Sequence, residues 1–483
     1  MQKNHRMYID GAWTESSDKS CFDVFNPFTG ERLAGAANGN KEDAQKAIKA
    51  AAMAYPLWAA TPPTMKRLLF LKAADVLEKR KDEIARLLAE ETGAARPFAM
   101  FQAMSGPNYL REAGSQVHRV IGKTLPAESA KLSIVLRQPV GVVAGISPWN
   151  CPVVLSLRAV CFAIAYGNTA VLKPSEETPL SGGVILAEVF EEAGFPKGVL
   201  NVITHGYGRS AEIGDEFIAD KRVKRISFTG STRVGRELAE KAGRHLKKIS
   251  LELGGNDPLI ILKDANIDYA VNVAIFGRFL HQGQVCMNAK RFIVEEQVAE
   301  EFTEKLVKRV LDLKVGNPLD ADTLIGPLIN KRQLELIHSQ VEKAQSEGAQ
   351  LLCGGKSKGL CYYPTVLAGV REDMAIFHEE TFGPVAPIII AKDAEDALRI
   401  ANNSDYGLAS GIITGDTQKG LELAERLEAG STHVNDSPLH GETHAPFGGI
   451  KDSGWGKFGM EALEEFTELH WVTVQKGERK FPF

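Results

Sequence analysis

After Pro139 the chain settles into short apolar runs of strand length, separated by stretches long enough for a helix, and this alternation constrains the fold more than any other feature. Strands that follow one another through helical crossovers run parallel, because a tight hairpin can only return a strand antiparallel. The runs Gly141 to Ile146, Thr169 to Leu172, Leu200 to Ile203, Val223 to Phe228 and Lys248 to Leu253 are read as strands of one sheet. Right-handed crossovers place their C-terminal ends on one edge, where an open α/β sheet binds its ligand. A second set of such units begins at Pro258 to Leu262 and runs to about Gly430, with Arg291 to Val294 and Ala386 to Ile390 as further strands.

The segment before the alternation is helical. From Lys41 to His118, Leu69, Ala73, Val76, Leu77, Ile84, Leu87 and Leu88 recur at helical spacings between charged residues, predicting an antiparallel helical layer. Leu132 to Leu136 is strand-like and lies between Pro126 and Pro139, which predicts a projecting hairpin arm.

At 483 residues the chain is long enough for two or three domains. A net charge of −4 without a Lys/Arg block excludes a nucleic-acid partner. The six cysteines form no CxxC pair or disulfide framework, which fits reduced thiols in the cytoplasm. The opening Met1 to Arg6 is charged but has no apolar core behind it, so no secretion signal is expected. The most apolar stretch, Val153 to Leu172, is interrupted by Arg158 and by Tyr166 to Thr169, and reads as a buried helix, a turn and a buried strand rather than a membrane span. No metal site is expected.

Two residue types carry the chemistry. Cys286, in Gly283-Gln284-Val285-Cys286, offers a thiolate that can add to a carbonyl carbon, and Glu252, in Glu252-Leu253-Gly254-Gly255, offers a base that can later draw a proton from water. Either motif alone is equally well a buried packing cysteine or a strand ending in a turn. Asn150, in Pro148-Trp149-Asn150 after the first strand, is placed to donate to an oxyanion, or to cap a helix. Gly230 and Ser231 open a helix after a strand and suit a phosphate. Glu176, in Lys173-Pro174-Ser175-Glu176, stands where a carboxylate holds ribose hydroxyls and repels a 2′-phosphate, which favours NAD over NADP.

These five motifs, followed by Glu379-Glu380-Thr381-Phe382-Gly383-Pro384 and Pro446-Phe447-Gly448-Gly449, occur in the order and spacing of the NAD(P)-dependent aldehyde dehydrogenase superfamily, which the chain resembles over nearly its whole length. The resemblance implies Cys286 as nucleophile, Glu252 as general base and Asn150 as oxyanion donor. It implies Gly230 and Ser231 at the pyrophosphate, Lys173 and Glu176 at the adenosine ribose, and Glu380 with Phe382 at the nicotinamide ribose. Ile146, Pro148, Trp149, Phe228, Val234, Leu253 and Gly254 complete the cofactor contacts. It also implies an α/β fold with a Rossmann-type parallel-sheet NAD-binding domain (1–121 and 140–253), an α/β catalytic domain (254–430) and a small β oligomerisation arm (122–139 and 465–483). Residues 431–464 would return to the NAD-binding domain and the mouth of the substrate tunnel, and the assembly would be a homodimer or homotetramer.

The expected reaction is NAD-dependent oxidation of an aldehyde to its acid through a cysteine thiohemiacetal and thioester. Glu252 argues against transfer of the acyl group to coenzyme A. Cys151, Leu155, Arg158, Val285 and Met287 are expected to line the pocket, and the small Cys151 leaves room for a broad substrate. Arg158 would meet a phenolic or carboxylate substituent, or bond instead to backbone or an acidic neighbour. His281 is read as structural. Arg278 to Gln284 and Glu465 to Trp471 resemble the bacterial benzaldehyde, vanillin and salicylaldehyde dehydrogenases, which favours an aromatic substrate. Aliphatic aldehydes or semialdehydes are the alternative within the class, and a catalytically silent binding relative is the alternative outside it.

Overall fold

The computed structural model describes residues 4–483. The first three residues of the segment read for a secretion signal lie outside them. Strands β1 (Met7–Ile9) and β2 (Ala12–Thr14) lead to four helices, α1 (Lys41–Ala60), α2 (Pro63–Lys79), α3 (Lys81–Thr92) and α4 (Arg96–Gln116). Asn40 starts α1 with a reciprocal cap: its side chain accepts from Glu42 and Asp43 N–H, and Asp43 accepts from the Asn40 N–H. Phe70, Ala73 and Leu77 of α2 and Ala103, Leu110 and Ala113 of α4 belong to one buried core cluster, as the apolar periodicity predicts. Strands β3 (Lys123–Leu125) and β4 (Lys131–Pro139) follow as an exposed antiparallel pair.

The alternating region then folds in order. It comprises β5 (Val142–Ile146), α5 (Pro152–Ala165), β6 (Thr169–Lys173), β7 (Leu200–Val202), β8 (Val223–Thr229), α6 (Thr232–Arg244) and β9 (Lys248–Glu252). Each of these strands lies within one residue of its expected ends. Every residue of β5 and β6 is buried, as befits parallel strands covered on both faces. At about 1.5–3 kcal/mol for each buried Val, Leu or Ile side chain, this packing holds the sheet centre firmly. The parallel order is β9-β8-β5-β6-β7, so β5 and β8 are neighbours from which the chain winds in opposite directions. The crevice at that switch point lies between the turn after β5, which carries Asn150, and the turn after β8, which carries Gly230 and Ser231. The hairpin β1–β2 extends the sheet beyond β7, an addition that its three-residue strands are too short to announce.

A second sheet is built from β10 (Pro258–Ile261), β11 (Arg291–Glu295), β12 (Gln350–Cys353), β13 (Thr365–Ala368), β14 (Val385–Ala391), β15 (Ala409–Ile413) and β16 (Ser431–Val434), with helix α7 (Ile267–Phe279) between β10 and β11. Its order is β12-β13-β14-β11-β10-β15-β16. The expected boundary at residue 430 is therefore too early. Ser431–Val434 pairs in parallel with β15, and the chain leaves the second sheet only after Val434. Farther on, β17 (Gly454–Trp455) runs antiparallel to β9 of the first sheet. The last strand, β18 (Thr467–Gln475), pairs with β4 along its whole length and completes a three-stranded arm. No helix among the described residues is long and apolar enough to cross a membrane.

Candidate active site

Cys286 sits on the loop that joins α7 to β11. Three consecutive residues ahead of it, His281, Gln282 and Gly283, have left-handed backbone angles (φ +51°, +54° and +73°). For the two that are not glycine this geometry costs on the order of 1–3 kcal/mol each, and it persists only where surroundings enforce it. They do. The Gln282 amide donates to the carbonyls of Gly93 (2.8 Å) and Pro327 (2.9 Å), and the buried His281 ring stacks on Phe98 at 4.5 Å. A Cβ on Gly283 would strike the Gly383 carbonyl, so the loop passes against the Thr381-Phe382-Gly383 segment only because this residue is glycine. Asn288 closes the other side, accepting from Val285 N–H (2.8 Å) and donating to Gly277 O (2.7 Å). Arg278 ties the end of α7 to Thr381 O (2.8 Å). The Cys286 loop is thus braced by buried polar side chains, leaving Cys286 partly accessible.

Glu252 ends β9, with its side chain 1% exposed. Its Oε1 is 3.5 Å from the Cys286 sulfur, which donates to it. Its Oε2 accepts from Arg158 Nη1 at 2.8 Å, with Thr229 Oγ1 at 3.5 Å. Burial and the facing Glu252 push the Cys286 thiol well above its ordinary range, while Lys290 and Arg158 pull the other way. The resting sulfur is therefore a neutral thiol beside a carboxyl group. Arg158, expected at the substrate pocket, takes the acidic-neighbour alternative, with Nη2 donating to the Tyr109 hydroxyl at 2.8 Å.

Asn150 is 4% exposed and lies at the entrance to α5, where the helix cap is Cys151 without a side-chain hydrogen bond. Its carboxamide makes no hydrogen bond among the described residues, so it does not serve as the cap. Cys151, Leu155 and Val285 are buried in one apolar cluster with Phe98 and Leu439, and the partly buried Met287 packs against it.

The cofactor-side residues come from both sheets. Ser231 caps α6, its hydroxyl accepting from Val234 N–H (3.4 Å), and the first turn of the helix offers N–H donors to a phosphate. Ile146 ends β5, with Pro148 and Trp149 just beyond it; Phe228 lies on β8, and Leu253 follows β9. Lys173, at the end of β6, is 4% exposed and forms no ion pair among the described residues; burial pushes its ammonium down to about 8, against the opposing pull of Glu176. Such a buried donor, without an acid, suits ribose hydroxyls, and Glu176 is half-buried three residues on. Across the crevice the Phe382 ring meets Trp149 edge-on at 5.6 Å. Glu380 Oε1 accepts from Gly255 N–H at 3.1 Å, and the Glu380 carboxylate lies directly over Gly254, where a side chain would displace it. The donors, glycines and acids present fit a dinucleotide.

A model of the aldehyde dehydrogenase family matches residues 13–472. The chain belongs to this family. It is 42% identical over 481 residues to a salicylaldehyde dehydrogenase of Pseudomonas sp. (strain C18), the match covering 99% of each chain. It is also 42% identical over 463 residues to a Pseudomonas putida benzaldehyde dehydrogenase designated for NAD(+), covering 95% of this chain and 94% of that one. The crystal structure of a salicylaldehyde dehydrogenase from Pseudomonas putida G7 complexed with salicylaldehyde superposes with a TM-score of 0.97 at 41% identity, covering 99% of this chain and 100% of that one. Aldehyde dehydrogenases use NAD(P).

In this aldehyde dehydrogenase, sequence reasoning missed Tyr109, Lys290 and Asp257. Tyr109 gives no local signal on α4. Lys290, four residues beyond Cys286, was open to detection by proximity alone: its ammonium is fully buried, 3.2 Å from Asp257 and 3.6 Å from Glu380, and donates to the Cys286 carbonyl. It joins the Cys286 loop to the carboxylate expected at the nicotinamide ribose.

Proposed function

We propose that this chain oxidises an aromatic aldehyde to the carboxylic acid with NAD, and that Cys286, Glu252 and Asn150 carry the chemistry. The observation that carries the reading is the 3.5 Å contact between the Cys286 sulfur and Glu252 Oε1, made beside the switch-point crevice. Glu252 takes the thiol proton as sulfur bonds to the carbonyl carbon, and the oxygen that gains charge in the thiohemiacetal accepts from the Asn150 carboxamide. When bound, the nicotinamide supplies the hydride acceptor. Glu252, its first proton released, then takes one from the water that cleaves the Cys286 thioester, and the acid leaves.

Gly230, Ser231 and Val234 would hold the pyrophosphate, Lys173 and Glu176 the adenosine ribose, and Glu380 and Phe382 the nicotinamide ribose. Glu176 disfavours a 2′-phosphate, which supports NAD over NADP, as does the benzaldehyde dehydrogenase designated for NAD(+). The apolar cluster around Cys151, Leu155 and Val285 supports an aromatic ring in the pocket, as do the names of the salicylaldehyde and benzaldehyde relatives. The arm supports a homodimer or homotetramer, because it exposes Leu125, Leu132, Leu136, Leu469, Trp471 and Val474 together on three paired strands.

NADH appearance with benzaldehyde tests the reading: wild type turns over and Cys286→Ala does not. A wild type silent with every aldehyde of an aromatic and aliphatic panel would leave the chain a binding relative. Higher kcat/KM for the aliphatic members would overturn the aromatic assignment.

A further inference from the structure

We propose that Arg158, held by Tyr109, is a positioning residue that locks Glu252 in the orientation facing the Cys286 sulfur. The proposal rests on Glu252 acting as the base. Arg158 lies in the middle of α5, and its guanidinium has no solvent to turn to: the side chains of Arg158 and Glu252 are 6% and 1% exposed. One arm of the fork meets Glu252 Oε2 at 2.8 Å and the other meets the Tyr109 hydroxyl at 2.8 Å. The planar head is enclosed by aromatic rings, with Phe447 at 4.5 Å and Tyr109 and Phe458 each at 5.5 Å from the guanidinium carbon to the ring centre. Its Nε is left without a partner. The side chain is therefore fixed at both ends of its fork, which a lysine cannot reproduce.

With Oε2 taken by Arg158, Glu252 presents only Oε1 to the sulfur. Without the guanidinium, the Glu252 carboxylate would lose its only ion-pair partner among the described residues, and nothing would hold Oε1 toward the sulfur. Rotation would remove the acceptor that both the thiol and the hydrolytic water need. The other titratable groups facing this pair are Cys286 and Cys151, with Lys290 and Asp257 beyond the sulfur. The Phe447 ring over Arg158 also gives Pro446-Phe447-Gly448-Gly449 a physical task, which is to wall the guanidinium off from solvent.

The test compares wild type with Arg158→Met, Arg158→Lys and Tyr109→Phe, using benzaldehyde, which carries no substituent for an arginine to bind. Positioning predicts that kcat of Arg158→Met falls by about 100-fold or more at pH 7 with KM changed by less than about threefold. Tyr109→Phe should lower kcat by less, again with KM near the wild-type value, and Arg158→Lys should recover only part of kcat. If Arg158→Met does not fold, Tyr109→Phe carries the test. An unchanged kcat in folded variants, or a loss confined to KM, overturns the positioning role while leaving the proposed reaction intact. A wild type without turnover on any aldehyde overturns the reaction itself.

Discussion

The sulfur of Cys286 and Oε1 of Glu252 stand 3.5 Å apart across thirty-four residues of chain. In the proposed reaction a thiol that burial keeps neutral needs an acceptor at this distance, and the same carboxylate would serve the water that attacks the sulfur-bound carbon. Replacing it by an isosteric amide removes the base and leaves the packing. Glu252→Gln should lower steady-state turnover by about 10²–10⁴-fold and let the acyl group accumulate on Cys286, visible by intact-protein mass after rapid quench. An unchanged steady-state rate would take Glu252 out of the mechanism.

In the proposed cofactor site, Glu176 and Lys173 would present opposite preferences to the 2′ position of a bound adenosine. The carboxylate repels a phosphate and the buried ammonium attracts one. Glu176→Ala should raise kcat/KM with NADP relative to NAD by about tenfold, since only the repelling partner is lost. Initial rates with both cofactors give the ratio directly, and no change would mean that the ribose does not lie against this residue.

Lys290 bridges the buried carboxylate of Asp257 and the partly buried carboxylate of Glu380. Removing it strands Asp257, which is 1% exposed, and frees the Cys286 carbonyl from its donor. Lys290→Met should cost about 3–5 kcal/mol of stability, read from urea unfolding followed by fluorescence. A loss under about 1 kcal/mol would mean that Asp257 finds another partner.

Glu91 of α3 accepts from the N–H groups of Leu180 (2.9 Å) and Ser181 (2.8 Å), just beyond the Lys173 to Glu176 segment. Burial pushes its carboxyl up to about 7, with the Ser181 and Leu180 donors opposing. Because the folded value lies above the ordinary 4.5, the folded state binds the proton more tightly between these two values. The resulting stabilisation is complete below about pH 4.5 and is lost as pH rises through about 7. Glu91→Gln cannot titrate, so the melting temperature of wild type relative to this variant should fall across that window. A difference that stays constant with pH would show that Glu91 keeps one protonation state throughout.

Much of the site was legible because its carriers are local. The period of apolar runs announces parallel strands within one residue of their ends, and the residues at the strand ends, Asn150, Gly230 and Glu252, necessarily arrive at one edge. The identity of a residue also limits its chemistry, which is why a thiol and a carboxylate stood out before any coordinates. β16 was missed because four half-buried residues, Ser431 to Val434, carry no strong alternation, and only the free edge of β15 recruits them.

Partner choice is different. Arg158 reaches Glu252 across 94 residues and Tyr109 across 49, and nothing in the spacing of α4 and α5 says which buried polar group meets which. Local periodicity determines the faces that leave water, since that depends on neighbours along one helix or strand. Which charge a buried guanidinium or ammonium finds depends on chains packed from elsewhere. Only the tertiary structure decided that Arg158 turns to Glu252 and that Lys290 ties Cys286 to Asp257 and Glu380.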